Sequence, residues 1–412
     1  MALLWDFLWQ VSMILAIGPC LLLCWAIYYH FSTTEIPLGI CQPLKIRMLH
    51  ISGSMCFALG YICWKIGLCG EFTILRIAMD GIPPIPDPSL SIKDIYFEDV
   101  RMRVYKRKGP SPEKRKGMVF FHGGTGTTGS IDAYERVCRY IAQKSDAVVV
   151  SVGYHLAPEY QYPTQFRECL NATVFFMKTA ENYGVDPAQI IISGETVGAL
   201  LASYVVQELV ERPDIAKPRA QILISPIVQA LDLNLPSYQQ NHFVPIVSRS
   251  VFLSFVSSYL TKNKSVVDYT QMESFVSKDV MVKYQKWLDS DRIPQELQAK
   301  RPFHEVSSFT SPFDNFEFTM KAIFKPPISP LLAEDDVFPH LPDTFILTCE
   351  FDVLRDDGLL YKKRLEDSGV RVSWCHLKDG FHGVFYLFNH WFVTFPCCRI
   401  GVDNILDYIK SL

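Results

Sequence analysis

The sequence predicts an α/β architecture: a mostly parallel central sheet with helices on both faces, a helical cap-like insertion, and a transmembrane helix at the N-terminus. Three observations predict it. From about Ile95 onward, short apolar runs of strand character alternate with helical stretches, the rhythm of β–α units. Glycine-rich turns stand where strands pass into helices. An almost uncharged stretch, long enough to cross a bilayer, precedes them all.

Composition agrees with a large buried core. Of 412 residues, 49% are hydrophobic and 20% charged, which suits one α/β domain with insertions as well as it suits two domains. A net charge of −3 leaves no electrostatic footprint for nucleic acid. The basic runs Lys106-Arg107-Lys108 and Lys114-Arg115-Lys116 flank a Gly-Pro-Ser-Pro turn and read as a solvated loop. The 12 cysteines form no CxxC and no Cys/His ladder at zinc-ligand spacing, so no metal is expected.

Residues 1–30 read as a membrane anchor. The run from Phe7 to Tyr29 is about 23 residues, roughly 35 Å as a helix, against a hydrocarbon core of about 30 Å. Trp5, Trp9, Trp25, Tyr28 and Tyr29 cluster towards its ends, as interfacial aromatics do. Asp6 replaces the basic n-region of a cleaved signal, and no small-x-small site follows. Orientation stays open. Lys45 and Arg47 after the span favour a cytoplasmic domain, whereas the sequons at Asn171 and Asn263 suit glycosylation in a lumen. Residues 31–94 read as an apolar helical linker or cap segment. Its stretch from His50 to Gly70 carries Lys65, so a packed or membrane-surface helix is expected rather than a second span.

The α/β domain is expected over residues 95–412. Ile95 to Tyr105 alternates as a strand or tight strand pair, and Gly117 to Phe121 reads as a short buried strand. A helix over 134–144, a strand over 147–152, a helix over 163–183 and a strand over 189–193 follow. A helix over 197–211 and a strand over 219–225 complete the first half. After an insertion at 226–342, strands at 344–349 and 370–375 alternate with helices at 356–367 and 402–410. The insertion is rich in Ser, Gln and aromatic residues and is expected to lie over the mouth of the sheet, where it shapes access.

Four motifs carry chemistry. Ser193-Gly194-Glu195-Thr196-Val197-Gly198 stands between strand and helix, the context of a nucleophile elbow, and puts Thr196 at its tip. His122-Gly123-Gly124 follows an earlier strand, where Gly123 and Gly124 supply backbone N–H groups to an oxyanion and Val197 supplies another. Asp352 and His382 fall in loops after the last two strands, in the order nucleophile, acid, histidine. His382 is then the base and Asp352 fixes its tautomer, while Asp356 and Asp357 belong to the start of the next helix.

Together with Tyr154-His155-Leu156-Ala157-Pro158-Glu159, these motifs resemble the hormone-sensitive-lipase group of α/β-hydrolases, and within it the arylacetamide deacetylase-like proteins. The likeness runs through essentially the whole chain. It implies an α/β-hydrolase fold and a single-pass anchor with the catalytic domain in the endoplasmic reticulum lumen. It also implies hydrolysis of hydrophobic carboxylic esters or acetylated amines without metal or cofactor. By position it assigns Thr196, Asp352 and His382 to the triad, and Gly123 and Gly124 to the oxyanion loop. The elbow departs from the group's usual GDSAGG: serine is replaced by Thr196 and the last glycine by Ala199.

Gly124 to Gly129 spells G-x-G-x-x-G after a strand, but the next strand ends in Gly153-Tyr154-His155 and offers no ribose-binding acid. A rival reading is a hydrolase fold that no longer hydrolyses and instead binds hydrophobic ligands or a partner. Threonine is β-branched, strained by about 1–3 kcal/mol at the positive φ of an elbow, and its methyl can turn the hydroxyl from His382.

Overall fold

The computed structural model describes residues 2–111, 113–260, 278–298, 327–390 and 393–412. Eight strands form one sheet in the order β1-β2-β4-β3-β5-β6-β7-β8. The strands are β1 Leu90–Phe97, β2 Val100–Arg107, β3 Arg115–Phe121, β4 Val148–Gly153, β5 Val185–Glu195, β6 Ala220–Ile224, β7 Asp343–Phe351 and β8 Val372–Phe381. β1 and β2 pair antiparallel, β2 pairs antiparallel with β4, and every other neighbour is parallel. The strand or strand pair read from Ile95 is thus a hairpin, turned at Glu98 with φ 53°. Its first strand begins at Leu90 rather than at residue 95, because Leu90 is buried and pairs with Arg107.

Helices α4 Glu135–Ser145, α5 Thr164–Thr179, α6 Val197–Val210, α11 Arg355–Asp367 and α12 Pro396–Ser411 cover the sheet. The sheet divides the core into two apolar clusters, one on each face. One contains Val119, Val150, Ile192 and Leu201; the other contains Phe120, Ile191, Ile222 and Leu406. Ile191 and Ile192 fall in different clusters because successive strand side chains point to opposite faces. The near-continuous apolar runs read from the sequence are therefore strands buried on both sides.

Of the insertion, the described parts include α7 Pro236–Gln240, α8 Arg249–Leu260, α9 Lys278–Leu288 and α10 Gln295–Gln298. It is helical there. Asp356 and Asp357 hold its base: Asp356 Oδ2 accepts from Ser237 N at 2.6 Å, and Asp357 from Gln229 Nε2 at 2.8 Å and Tyr238 Oη at 3.3 Å. These two acids are spent on packing, as their place in the first turn of α11 suggested.

The N-terminal layer is α1 Ala2–Thr33, α2 Pro43–Lys65 and α3 Thr73–Asp80. Both α1 and α2 contain apolar windows long enough to cross a membrane, and only 11% of each window is buried. Arg47 Nη1 donates to His30 Nε2 at 2.8 Å, which leaves Nδ1 of His30 to donate to His50 Nδ1, also at 2.8 Å. That polar cluster joins α1 to α2.

Candidate active site

β5 ends at Glu195 and α6 begins at Val197, so Thr196 alone makes the turn, at φ 57° and ψ −112°. The glycines around it follow from packing. A Cβ on Gly194 would lie 2.1 Å from the carbonyl oxygen of Gly198, and one on Gly198 would lie 2.0 Å from that of Phe121. Ala199, by contrast, is fully buried without needing to be glycine. Backbone bonds hold the strained residue in place: Thr196 N donates to Ile224 O at 2.9 Å, and Thr196 O accepts from Ala199 N and Leu200 N at 3.1 Å. This is a β-branched residue in a region that L side chains avoid, at a cost of order 1–3 kcal/mol.

The methyl does not turn the hydroxyl away. Thr196 Oγ1 lies 3.1 Å from His382 Nε2, and His382 Nδ1 lies 2.8 Å from Asp352 Oδ1. Asp352 Oδ1 also accepts from Leu354 N at 2.8 Å. With Nδ1–H donating to the carboxylate, Nε2 presents its lone pair to the hydroxyl. All three side chains are buried. The topology brings them together because β5, β7 and β8 are parallel and each residue follows the end of its strand.

Burial of His382 disfavours the imidazolium, but the Asp352 charge and hydrogen bond, helped by Glu195, outweigh it and raise the pKa above the usual value. Glu195, next to the nucleophile position, is buried, and neither carboxylate oxygen has a partner in hydrogen-bond geometry. Desolvation dominates there, while the nearby Tyr134 hydroxyl and His382 favour the charge; the pKa is pushed up to about 7. In the elbow pattern Glu195 occupies a position that any residue can fill, so the motif does not single it out.

The loop after β3 is built on glycine as well. A Cβ on Gly123 would lie 2.6 Å from Tyr134 Oη, and Gly124 has φ +111°. The carbonyl of Gly124 accepts from Thr127 N at 3.1 Å, Thr128 N at 2.9 Å and Thr128 Oγ1 at 3.0 Å. The amides of the G-x-G-x-x-G stretch thus close the loop on itself. Among the described residues, the amides of Gly124 and Val197 donate to no protein acceptor. His122 had no assigned role in the sequence reading. It is stacked on Tyr154 with ring centroids 4.2 Å apart, and Tyr154 Oη donates to its carbonyl at 2.7 Å. Burial lowers its pKa to about 4, so the neutral ring donates from Nδ1 to Gly123 O at 2.8 Å. The tyrosine of the YHLAPE motif was the signal for this brace.

The other candidates fall elsewhere. Ser193 lies in β5 with its hydroxyl buried, not at the elbow tip. Asn171 is partly buried within α5, and Asn263 lies outside the described residues. Two clusters of ligand-type atoms stand apart from the triad, Cys41 with Asp379 and Cys397, and Asp99 with His155 and Glu168. Neither follows a zinc-ligand spacing in sequence.

A family model described as alpha/beta hydrolase fold matches residues 118–286 and 287–386. Human arylacetamide deacetylase-like 4 is 38% identical over 395 residues, covering 94% of this chain and 95% of that protein. Arylacetamide deacetylase of Bos taurus is 36% identical over 390 residues, covering 92% and 94%. The crystal structure of a thermostable esterase from Pseudomonas putida superposes with a TM-score of 0.63 at 20% identity, covering 86% of this chain and 96% of that one. At that identity the likeness is one of fold.

Proposed function

Since the chain belongs to the arylacetamide deacetylase family of α/β-hydrolases, we propose that it is a membrane-anchored hydrolase of hydrophobic carboxylic esters or acetylated amines working through a Thr196–His382–Asp352 triad. The observation that carries this reading is the continuous hydrogen-bonded relay from Thr196 Oγ1 through His382 to Asp352. Thr196 Oγ1 attacks the acyl carbon as His382 Nε2 takes its proton. The amides of Val197, Gly124 and Gly123 face the developing oxyanion. His382 then passes the proton to the departing alkoxide or amine, leaving an acyl-threonine. Water, activated by the same nitrogen, releases the acid and restores the hydroxyl. The side chains of the chain suffice for each proton transfer. α1 is the anchor in this reading, and the lumen of the endoplasmic reticulum is the proposed site of the catalytic domain.

One observation favours a second reading. The positive φ of Thr196 burdens a β-branched residue as it does not burden serine in the same degree. A fold that retains the pocket but has lost turnover would bind hydrophobic ligands or a partner instead. Purified full-length protein treated with a fluorophosphonate probe and short-chain p-nitrophenyl esters separates the two. Hydrolase action predicts labelling of the wild type and loss of turnover in His382→Ala. An inert wild type beside a reactive Thr196→Ser establishes the second reading.

A further inference from the structure

Helix α3 is the part of the N-terminal layer that meets the loop carrying Gly123 and Gly124. Its outer side shows Ile77, 63% exposed, and its polar residues reach inwards. Arg76 Nε donates to Thr127 O at 2.8 Å, and Arg76 Nη2 donates to Ala157 O at 2.7 Å. The same guanidinium pairs with Glu159, through Nη1 to Oε1 at 3.0 Å and Nη2 to Oε2 at 2.9 Å. One turn on, Asp80 Oδ1 accepts from Ser130 Oγ at 2.5 Å, and Ser130 Oγ accepts from Ala133 N at 2.9 Å. α3 thus grips both ends of the stretch 127–130.

What it grips is mechanically short. Thr127 and Thr128 close directly on the carbonyl of Gly124, and Ala157 N donates to Gly126 O at 2.8 Å. The Arg76 side chain is therefore the node at which α3, the glycine loop and the YHLAPE segment meet. A guanidinium suits that node because its planar fork reaches several fixed acceptors at once; an ammonium cannot hold all of them. Breaking the node strips the Thr127 and Ala157 carbonyls of the guanidinium, and α3 then holds the stretch only through Asp80 and Ser130.

We propose that Arg76 is a positioning residue for the reaction, holding the Gly123–Gly124 turn so that its amides face the nucleophile. The N-terminal layer is on this view a working part of the oxyanion hole as well as an attachment to the membrane. The inference rests on the hydrolase reading of Thr196, and the experiment keeps the two apart.

Full-length protein in detergent micelles is prepared as wild type and as Thr196→Ser, each with Arg76→Met, Arg76→Lys or Glu159→Gln. Met keeps the apolar stem and loses the fork, whereas Glu159→Gln leaves both carbonyl contacts intact. With p-nitrophenyl butyrate, Arg76→Met is expected to lower kcat about tenfold to a hundredfold with KM changed less than about twofold. Arg76→Lys should recover part of kcat, and Glu159→Gln should stay within about threefold of its parent. Hydrogen exchange over residues 124–128 should quicken in Arg76→Met while exchange in β5 and α6 does not. Unchanged kcat in Arg76→Met, or losses in Glu159→Gln equal to those in Arg76→Met, overturns the proposal. If Thr196→Ser is itself inert, the hydrolase reading fails, and unchanged exchange over 124–128 still refutes the positioning role on its own.

Discussion

Thr196 brings together backbone strain and a histidine-bonded hydroxyl in one residue. Its hydroxyl reaches His382 at 3.1 Å, yet its backbone occupies a conformation that its branched Cβ opposes. Serine in its place keeps the hydroxyl and sheds the methyl, so Thr196→Ser should raise the rate of fluorophosphonate labelling about tenfold or more, read by gel fluorescence over time. The pH dependence follows from His382. The base must be neutral to accept a proton, and its pKa lies above the usual imidazole value because the Asp352 charge outweighs desolvation. The log of kcat/KM should therefore climb with pH and level off above the ordinary histidine range; a limb centred below pH 6 would contradict that arrangement. Glu195 makes a separate prediction about stability. Its folded pKa of about 7 exceeds the unfolded value of 4.5, so its contribution is full below pH 4.5 and is lost as pH rises through 7. Glu195→Gln should remove this loss and raise stability relative to the wild type by roughly 2–4 kcal/mol at pH 8, with little gain at pH 4.5. Denaturant titrations at the two pH values test the sign.

At the scale of elements, the parts most legible in the sequence are those where one strand end meets one chemical demand. Thr196 and Asp352 follow buried, largely apolar strands, His382 follows the half-buried edge strand β8, and Gly194 and Gly198 mark a turn with no room for a side chain. That demand is steep. Gly198→Ala drives a methyl into the Phe121 carbonyl on β3, and should cost more than about 3 kcal/mol or abolish soluble expression. Gly53→Ala in α2 meets nothing within 4 Å and should be neutral or slightly stabilising by about 0.5–1 kcal/mol. Thermal unfolding of the pair in one detergent separates a packing role from helix propensity. Other elements were less legible for physical reasons. The extent of β1 depends on its pairing with β2, so Leu90 cannot be assigned from local alternation. α1 runs on to Thr33, whose hydroxyl turns back to Tyr29 O at 2.7 Å, beyond the apolar run that defined the anchor. Arg76 acts through contacts distant in sequence, with Thr127, Ala157 and Glu159, and belongs to no spacing that betrays its partners.

At the scale of the molecule, the course of α2 decides how the domain would meet the bilayer in the proposed anchored protein. Hydropathy alone would let α2 cross, but both of its ends are tied to the same globular body. Before and at its start, Cys41 N donates to Asp379 O at 2.9 Å and Lys45 Nζ to Thr394 O at 2.8 Å. Beyond its end, Arg76 holds Thr127 O and Ala157 O. A helix of 23 residues is about 34 Å long, so crossing would put these two sets of contacts on opposite sides of the membrane. On the proposed anchored reading α2 lies in the plane of the interface, with Met48 and Ile62, and Ile66 and Leu68 just beyond its end, exposed for lipid, and Lys65 stacked over Trp64. On the same reading the His30–His50–Arg47 cluster lies at the level where α1 would leave the bilayer. Deleting residues 2–33 should therefore leave a protein that floats with liposomes at neutral pH yet is released by alkaline carbonate. Replacing Ile62, Ile66 and Leu68 by serine in that deletion should abolish flotation. Carbonate-resistant retention of the deletion would show instead that α2 spans the membrane, and the ties at its two ends would have to break in the bilayer.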